Sequence, residues 1–138
     1  GDARKLPLEG ASVDVAFLDP PYADNLSYSD DPACIGRLRA DDGSWHDAME
    51  QVLAEMSRVV KPGGHLAIYI SDVRKRNSFY SLGVDMAAMG QGFFRLVDHV
   101  SVVRHNKDLE KGNYRKAAAE GGFMLRGFNH LLLVGRRR

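Results

Sequence analysis

The chain has 138 residues, of which 44% are hydrophobic, so it is large enough to bury a core but is the size of one ordinary domain. Its 19 basic and 18 acidic residues give a formal charge of +1, which excludes a strongly cationic surface and means that any contact with a polyanion must be local. The single cysteine, Cys34, excludes an internal disulfide, and short apolar runs without a signal peptide exclude a membrane span, so we predict a soluble, cytoplasmic protein.

The first predicted element is a buried strand at residues 12–18, "SVDVAFL", in which Asp14 is the one polar interruption. Pro20 and Pro21 end it, because neither can donate a hydrogen bond to a ladder. Residues 23–43 are rich in Asp, Ser, Gly and Pro, which predicts a loop, and loops of this length tend to be functional.

A helix follows, since apolar residues recur at steps of three and four. Ser44 and Asp47 resemble a capping box at its start, and residues 61–64, "KPGG", supply a stop signal at its end. The apolar stripe consists of Trp45, Met49, Val52, Leu53, Met56, Val59 and Val60.

Beyond this helix, the pattern predicts a buried strand at 65–70, a helix within 77–90, and strands at 93–104 and 130–136. The polar segment 105–129 is predicted to be a mobile loop. Strands that alternate with helices imply a largely parallel sheet, and the last two strands, with no helix expected between them, should pair as antiparallel neighbours at one edge. The pattern matches half of a doubly wound sheet in a single domain, whose ligands bind beyond the carboxyl ends of the strands.

The stretch "DPPY" lies at such a strand end. The Asp19 carboxylate and the carbonyls near Pro20 and Pro21 offer acceptors without competing donors, and Tyr22 offers a flat ring. Together they suit an exocyclic NH₂ group on a nucleobase, which would have to be flipped out of a duplex to reach the site. The competing interpretation is a plain turn in which the aspartate bonds its own backbone.

The segments "GDARKLPL", "SVDVAFLDPPY" and "RVVKPGGHLAIYI" resemble the amino-group DNA methyltransferases, within the class I S-adenosylmethionine-dependent methyltransferases. The resemblance implies a Rossmann-like sheet. It also implies that Asp19 and the Pro20 carbonyl bind the target amine, that Pro21 shapes the turn and that Tyr22 stacks on the flipped base. Asp2, followed by Ala3, is implied to lie near the cofactor's adenine.

One family motif is missing: no FxGxG sequence follows a first strand, and "GQGFF" at 90–94 precedes a strand instead. We therefore expect residues 1–138 to form the C-terminal, catalytic portion of a methyltransferase domain. An upstream half or a second chain would complete its cofactor site.

The leading hypothesis is methyl transfer from S-adenosylmethionine to adenine N6 or cytosine N4 in DNA, in a protein of prokaryotic or phage type. The first alternative is an RNA methyltransferase acting on guanine N2 or adenine N6. The second alternative is a catalytically inactive remnant that binds nucleic acid or serves a structural role.

Further residues are candidates for the substrate. Tyr28 could line the base pocket, and the adjacent Arg74, Lys75 and Arg76 follow the second strand, where they could contact phosphates. The five histidines lack ligand spacing, so no metal site is predicted. The late polar segment carries a mixture suited to a nucleic-acid backbone and its bases, namely Lys107, Lys111, Tyr114, Arg115, Lys116, Phe123 and Arg126.

Overall fold

A computed structural model describes residues 1–25, 28–75, 77–105 and 113–137. The strands are β1 (Val13–Leu18), β2 (Val60–Ile70), β3 (Val73–Lys75), β4 (Ser78–Tyr80), β5 (Arg95–Val103) and β6 (Phe128–Gly135). The helices are α1 (Ser44–Val59), α2 (Leu82–Gly90) and α3 (Asn113–Gly121), with short 3₁₀ turns at Ala23–Asn25 and Ile35–Arg37.

The main sheet has the strand order β1-β2-β6-β5. β1 is parallel to β2, whereas β6 is antiparallel to both β2 and β5. Three of the four strands therefore point the same way, and β5 and β6 are antiparallel neighbours at one edge, as the sequence predicts. β3 and β4 form a separate antiparallel hairpin beyond the carboxyl end of β2.

The core lies between this sheet and helices α1 and α2. The predicted apolar stripe of α1 is buried, and Trp45, Val52 and Leu53 have no exposed surface. Alternate residues of β2 meet it, because side chains of a strand point to opposite faces in turn. Leu66, Ile68 and Ile70 are fully buried on that face. α1 thus fixes the position of β2 and of the loop that follows β1.

β1 is not the buried strand that its composition predicts. It lies at the edge of the sheet, and the side chains of Val15 and Phe17 are 64% and 66% exposed. Ala16 and Leu18 pack against the core on the opposite face. An apolar run alone cannot distinguish a strand covered on both faces from an edge strand whose second face is open.

Residues 61–64 lie inside β2 and form a bulge, so they do not act as a helix stop. Val13 pairs with Val60 and Val15 pairs with His65, so β2 carries extra residues opposite Asp14. Gly63 has a φ of 79°, which favours glycine, and a Cβ at Gly64 would lie 2.7 Å from the Asp14 carbonyl oxygen. The helix ends at Val59 because the chain turns directly into β2.

Two further expectations are wrong. Residues 113–121 of the predicted loop form α3, which has only Ala118 buried; Lys107 and Lys111 lie outside the described residues. The capping box does not form, because Gly43 is the N-cap and the Ser44 hydroxyl accepts a bond from the Arg39 amide.

Within the described ranges, no helix is long and apolar enough to cross a membrane.

Gly83 provides a test of how tightly α2 packs on the sheet. A Cβ at Gly83 would lie 2.3 Å from Cδ2 of His130, whereas a Cβ at Gly90 of the same helix meets nothing within 4 Å. We expect Gly83→Ala to lower the free energy of unfolding by about 1–3 kcal/mol through overpacking. Gly90→Ala is the matched control and should leave stability nearly unchanged, as measured by urea denaturation. Equal effects of the two substitutions would contradict the packing.

Candidate active site at the carboxyl edge of the sheet

The carboxyl ends of three strands meet at one edge of the sheet. Because β1, β2 and β5 run in the same direction, the residues that follow them, Asp19, Ser71 and Arg104, lie along the same edge. This is the edge at which open α/β sheets bind ligands. The predicted motif, residues 19–22, is therefore at the position where a ligand site is expected.

Asp19 and Tyr22 form a pair within the motif. The Tyr22 hydroxyl donates a hydrogen bond of 3.2 Å to Oδ1 of Asp19. Partial burial, followed by the nearby Asp19 carboxylate, raises the pKa of Tyr22 above its ordinary value, so the phenol stays protonated and remains a donor. Among the described residues, none donates to Oδ2 of Asp19, and Asp19 is exposed.

The two proline carbonyls differ in their environment. The Pro21 carbonyl accepts 2.8 Å from Nε1 of Trp45 and 2.9 Å from the Ala23 amide, so the expectation that it is free of competing donors is wrong. It anchors the motif to helix α1 instead. Pro20 is buried, and no group in the described part of the chain donates to its carbonyl oxygen. A carbonyl oxygen to which no described residue donates is free to accept a hydrogen bond from a ligand or from water.

The motif separates two grooves, each named here for the motif residue that lines it. The Pro21 groove has a volume of about 550 Å³. Besides Pro21 and Ile35, it is lined by three further sequence-predicted residues, Asp2, Ala3 and Tyr28. Tyr28 is 68% exposed and lies on this side of the motif, away from Tyr22. The structure thus brings Tyr28 together with the two residues predicted for the cofactor.

Asp2 is held in place by Arg4. Oδ1 of Asp2 accepts from the Arg4 amide at 2.9 Å, and Oδ2 accepts from Nη2 of Arg4 at 2.8 Å. These hydrogen bonds with Arg4 hold the pKa of Asp2 below its usual value. Arg4 also donates to the carbonyl of Ala33, which fixes the opposite wall of the Pro21 groove.

The Tyr22 groove, of about 730 Å³, contains a polar network that the sequence does not predict. Arg104 donates from Nε to Oδ1 of Asn129 at 2.8 Å and from Nη2 to Oγ of Ser71 at 2.6 Å. Asn129 is only 7% exposed and donates 2.6 Å to the hydroxyl of Tyr69. The network fixes the Arg104 guanidinium beside Tyr22, and the one signal in the sequence is a polar pair, Asn129 and His130, at the start of an apolar strand.

Two hydrogen-bonded histidines, His99 and His130, lie next to this network. His130, 6% exposed, has Nε2 at 3.1 Å from Oδ2 of Asp72 and Nδ1 at 2.9 Å from Nε2 of His99. Asp72 also accepts from the Gly83 amide at 3.0 Å, which ties the start of α2 to the carboxyl end of β2. Among the described residues, no three His, Cys, Asp or Glu side chains, these included, are arranged so that they could hold a metal ion.

The adjacent cations after β2 do not form one cluster. The guanidinium of Arg74 stacks on the rings of Phe123 and Phe79, at 4.1 and 5.7 Å from their centroids. Lys75 instead forms an ion pair with Asp24 beside a different pocket. Arg76 lies outside the described residues. Neighbouring residues of a strand point to opposite faces, which separates Arg74 from Lys75.

No protein-family model matches the sequence, and no curated protein matches it. The architecture is nevertheless similar to solved structures. A candidate DNA modification methylase of Thermus thermophilus, TTHA0409, in complex with S-adenosyl-L-methionine, superposes with a TM-score of 0.71 at 21% identity, over 100% of this chain and 54% of that protein.

Of two further similar structures, one is named as a DNA methyltransferase and the other as a complex with SAM. The PvuII DNA methyltransferase, cytosine-N4-specific, gives a TM-score of 0.62 at 14% identity over 100% of this chain and 48% of its own. The complex of M1.HpyAVI with SAM gives 0.54 at 14% identity, over 94% and 46%. The chain has the Rossmann-like fold of the class I methyltransferases. It spans about half the length of the proteins to which it is similar.

The hydrogen bond from Trp45 to the Pro21 carbonyl should contribute to the free energy of unfolding, because it anchors the motif to α1. Trp45→Phe removes the indole N–H and leaves a smaller ring, so we expect a loss of about 1–3 kcal/mol in the free energy of unfolding. Met49→Leu, on the same buried face of α1, conserves volume and leaves the bond intact, and should cost less than about 1.5 kcal/mol. Denaturant unfolding of both variants measures the difference, and a Trp45→Phe variant as stable as the parent would contradict the anchor.

Proposed function

We propose that the chain is the catalytic portion of an S-adenosylmethionine-dependent methyltransferase that acts on the exocyclic amino group of adenine (N6) or cytosine (N4) in DNA. The observation that carries this proposal is a pair of acceptors to which no described residue donates, Oδ2 of Asp19 and the Pro20 carbonyl, beside the ring of Tyr22. An amine with two hydrogens needs two such acceptors. The similarity in fold to DNA methyltransferases supports the same assignment.

In this proposal, the motif orients the amine and stabilises the charge that develops on it. Asp19 and the Pro20 carbonyl accept the two N–H bonds, which holds the nitrogen lone pair away from the ring plane and toward the methyl donor. The negative charge of Asp19 would stabilise the positive charge that develops on the nitrogen while the N–C bond forms and the methyl–sulfur bond breaks, and the extra proton would then pass to water. Tyr22, kept protonated, fixes the Asp19 carboxylate through its hydroxyl.

The Pro21 groove fits one side of a cofactor site. When bound, S-adenosylmethionine supplies an electrophilic methyl group on a sulfonium sulfur. Ala3, Pro21 and Ile35 give the groove an apolar wall, which suits the adenine ring. Asp2 adds a carboxylate whose position is fixed by Arg4. Asp2 and Ala3 are therefore the residues that we assign to the adenosine part of the cofactor.

We further propose that a second unit, either an upstream segment or another chain, completes the cofactor site. The free edge of β1 and the exposed Val15 and Phe17 provide an apolar surface for it. Helices cover one face of this sheet in the described residues, whereas sheets of this architecture usually bury both. This chain spans 54% of the TTHA0409 structure, so the rest of that protein has no counterpart in residues 1–138.

Substitution of Asp19 tests the catalytic assignment. In a form of the protein that includes the completing unit, Asp19→Ala should lower kcat by about 10²–10³ or more, while the Kd for S-adenosylmethionine changes only a few-fold. Asp19→Asn keeps one acceptor and should retain residual activity. Transfer of labelled methyl groups to unmethylated duplex DNA, and to RNA of the same sequence, is the measurement.

Asp14→Ala is the matched control, because Asp14 is an exposed carboxylate on the same strand that pairs with Lys61 at 2.9 Å. It should leave kcat unchanged. Unchanged turnover in Asp19→Ala would refute the assignment. Transfer to RNA alone would support the RNA alternative, and no transfer to either nucleic acid would support the inactive remnant.

Cofactor binding tests the second unit. Residues 1–138 alone provide the Pro21 groove but leave β1 uncovered, so we expect very weak or undetectable binding of S-adenosylmethionine by isothermal titration. Addition of the completing unit should bring the Kd into the micromolar range. Micromolar binding by a purified monomer of these residues alone would contradict the proposal.

A further inference from the structure

Three arginines that are far apart in the sequence come together at the carboxyl edge. Arg74 lies on β3, Arg104 follows β5 and Arg126 precedes β6, and all three line one cavity of about 230 Å³. We call them the three-arginine cluster. The cavity shares Ser71, Asp72, Arg74 and Arg104 with the Tyr22 groove, so the cluster borders the proposed position of the target base.

Aromatic rings hold two of the guanidinium groups. Arg126 lies 4.1 Å from the ring centroid of Phe79, and Arg74 stacks between Phe79 and Phe123. Stacking on a ring face attracts the cation but leaves its N–H groups at the rim of the plane without acceptors. Accordingly, Nε of Arg74 is buried and has no hydrogen-bond partner within the part of the chain that the structure describes. The stack thus holds one guanidinium N–H, that of Arg74 Nε, for which no described residue offers an acceptor.

Arg104 is held by neutral groups. Its partners are the amide oxygen of Asn129 and the hydroxyl of Ser71, so its charge is positioned but not neutralised. Among the described residues, no hydrogen bond involves its Nη1. A guanidinium that is fixed in place loses little freedom when it binds a ligand, which favours recognition of a planar or tetrahedral anion.

The charges in the cluster do not balance. In the described part of the chain, Asp72 is the one carboxylate that pairs with a member, at 3.8 Å from Nε of Arg126, and it is already bonded to His130 and Gly83. Burial lowers the pKa of Arg126, and the neighbouring Arg74 and Arg104 lower it further. Three cations that line one cavity with a single carboxylate repel each other, and an added anion would relieve that repulsion.

We propose that the three-arginine cluster binds a backbone phosphate of the DNA strand that carries the target nucleotide. This inference rests on the proposed function for the choice of DNA as the ligand. Guanidinium forks match phosphate oxygens, and a cavity of about 230 Å³ suits one such group. Tyr114, 53% exposed at the same cavity, provides a ring for an adjacent base. The phosphate contact would fix the strand so that one base reaches Asp19.

Salt dependence of DNA binding tests the cluster. Fluorescence anisotropy with a labelled DNA duplex, at 50–200 mM NaCl and without cofactor, gives the slope of log Kobs against log salt for the full-length protein. We expect Arg104→Gln and Arg126→Gln each to reduce this slope by up to about 0.9 and to weaken binding about eightfold at 0.1 M salt. Arg104→Lys keeps the charge and should keep the slope.

The matched control is Arg95→Gln, because Arg95 is exposed and begins the same strand whose other end leads to Arg104. It removes the same charge at the opposite edge of the sheet, and should leave the slope at the parent value. Equal slopes for Arg104→Gln, Arg126→Gln and Arg95→Gln would overturn the proposal. Thermal unfolding of each variant confirms that the fold is kept, and Arg126→Gln leaves the bonds of Arg104 intact.

Two further comparisons distinguish this proposal from the proposed enzyme function and from a site for free phosphate. Absence of methyl transfer by the parent protein, together with reduced slopes for Arg104→Gln and Arg126→Gln, would count against the proposed enzyme function alone. Normal methyl transfer with unaltered slopes would overturn the cluster alone. Inorganic phosphate at constant ionic strength probes a site for the free ion. If it binds the cluster at millimolar concentration while the DNA slopes of the variants equal that of the parent, the DNA phosphate is excluded.

Discussion

The parallel pairing of β1 with β2 is the constraint on which both grooves depend. It places the ends of two strands at one edge, so that Tyr22, in the motif after the first strand, and Ser71, after the second, line the same groove. The bulge at Gly63 and Gly64 fixes the register of this pairing, because the extra residues of β2 fit only opposite Asp14. A shift by one residue would turn every side chain of β1 to the other face of the sheet.

Sequence patterns predict those elements that carry a long apolar run or stripe, even where the structure leaves much of it exposed, as in β5. α1 and the four strands of the main sheet are of this kind, and each is found close to the predicted position. α3 is missed because it buries little and its apolar residues are mostly alanine. The exposure of β1 is missed because it depends on which strands are neighbours, a property of the tertiary fold.

The candidate site divides in the same way. Residues 19–22 are contiguous and their chemistry is legible in the sequence, whereas the Arg104 network joins three separate strand ends through the pairings of β2 and β5 with β6. Sequence adjacency misleads at Arg74 and Lys75, whose side chains take different partners, Phe123 and Asp24. In each case, the decisive information is the geometry between elements, which no local pattern contains.

The edge position of β1 has a consequence for how the protein behaves during synthesis and purification. An edge strand with unpaired amides and exposed side chains such as Val15 and Phe17 is a template onto which another extended chain can add. Asp14, whose side chain is 80% exposed, places a charge at the second residue of this strand and disfavours pairing of identical copies. Asp14 is therefore expected to act against edge-to-edge association, although it has no part in the proposed chemistry.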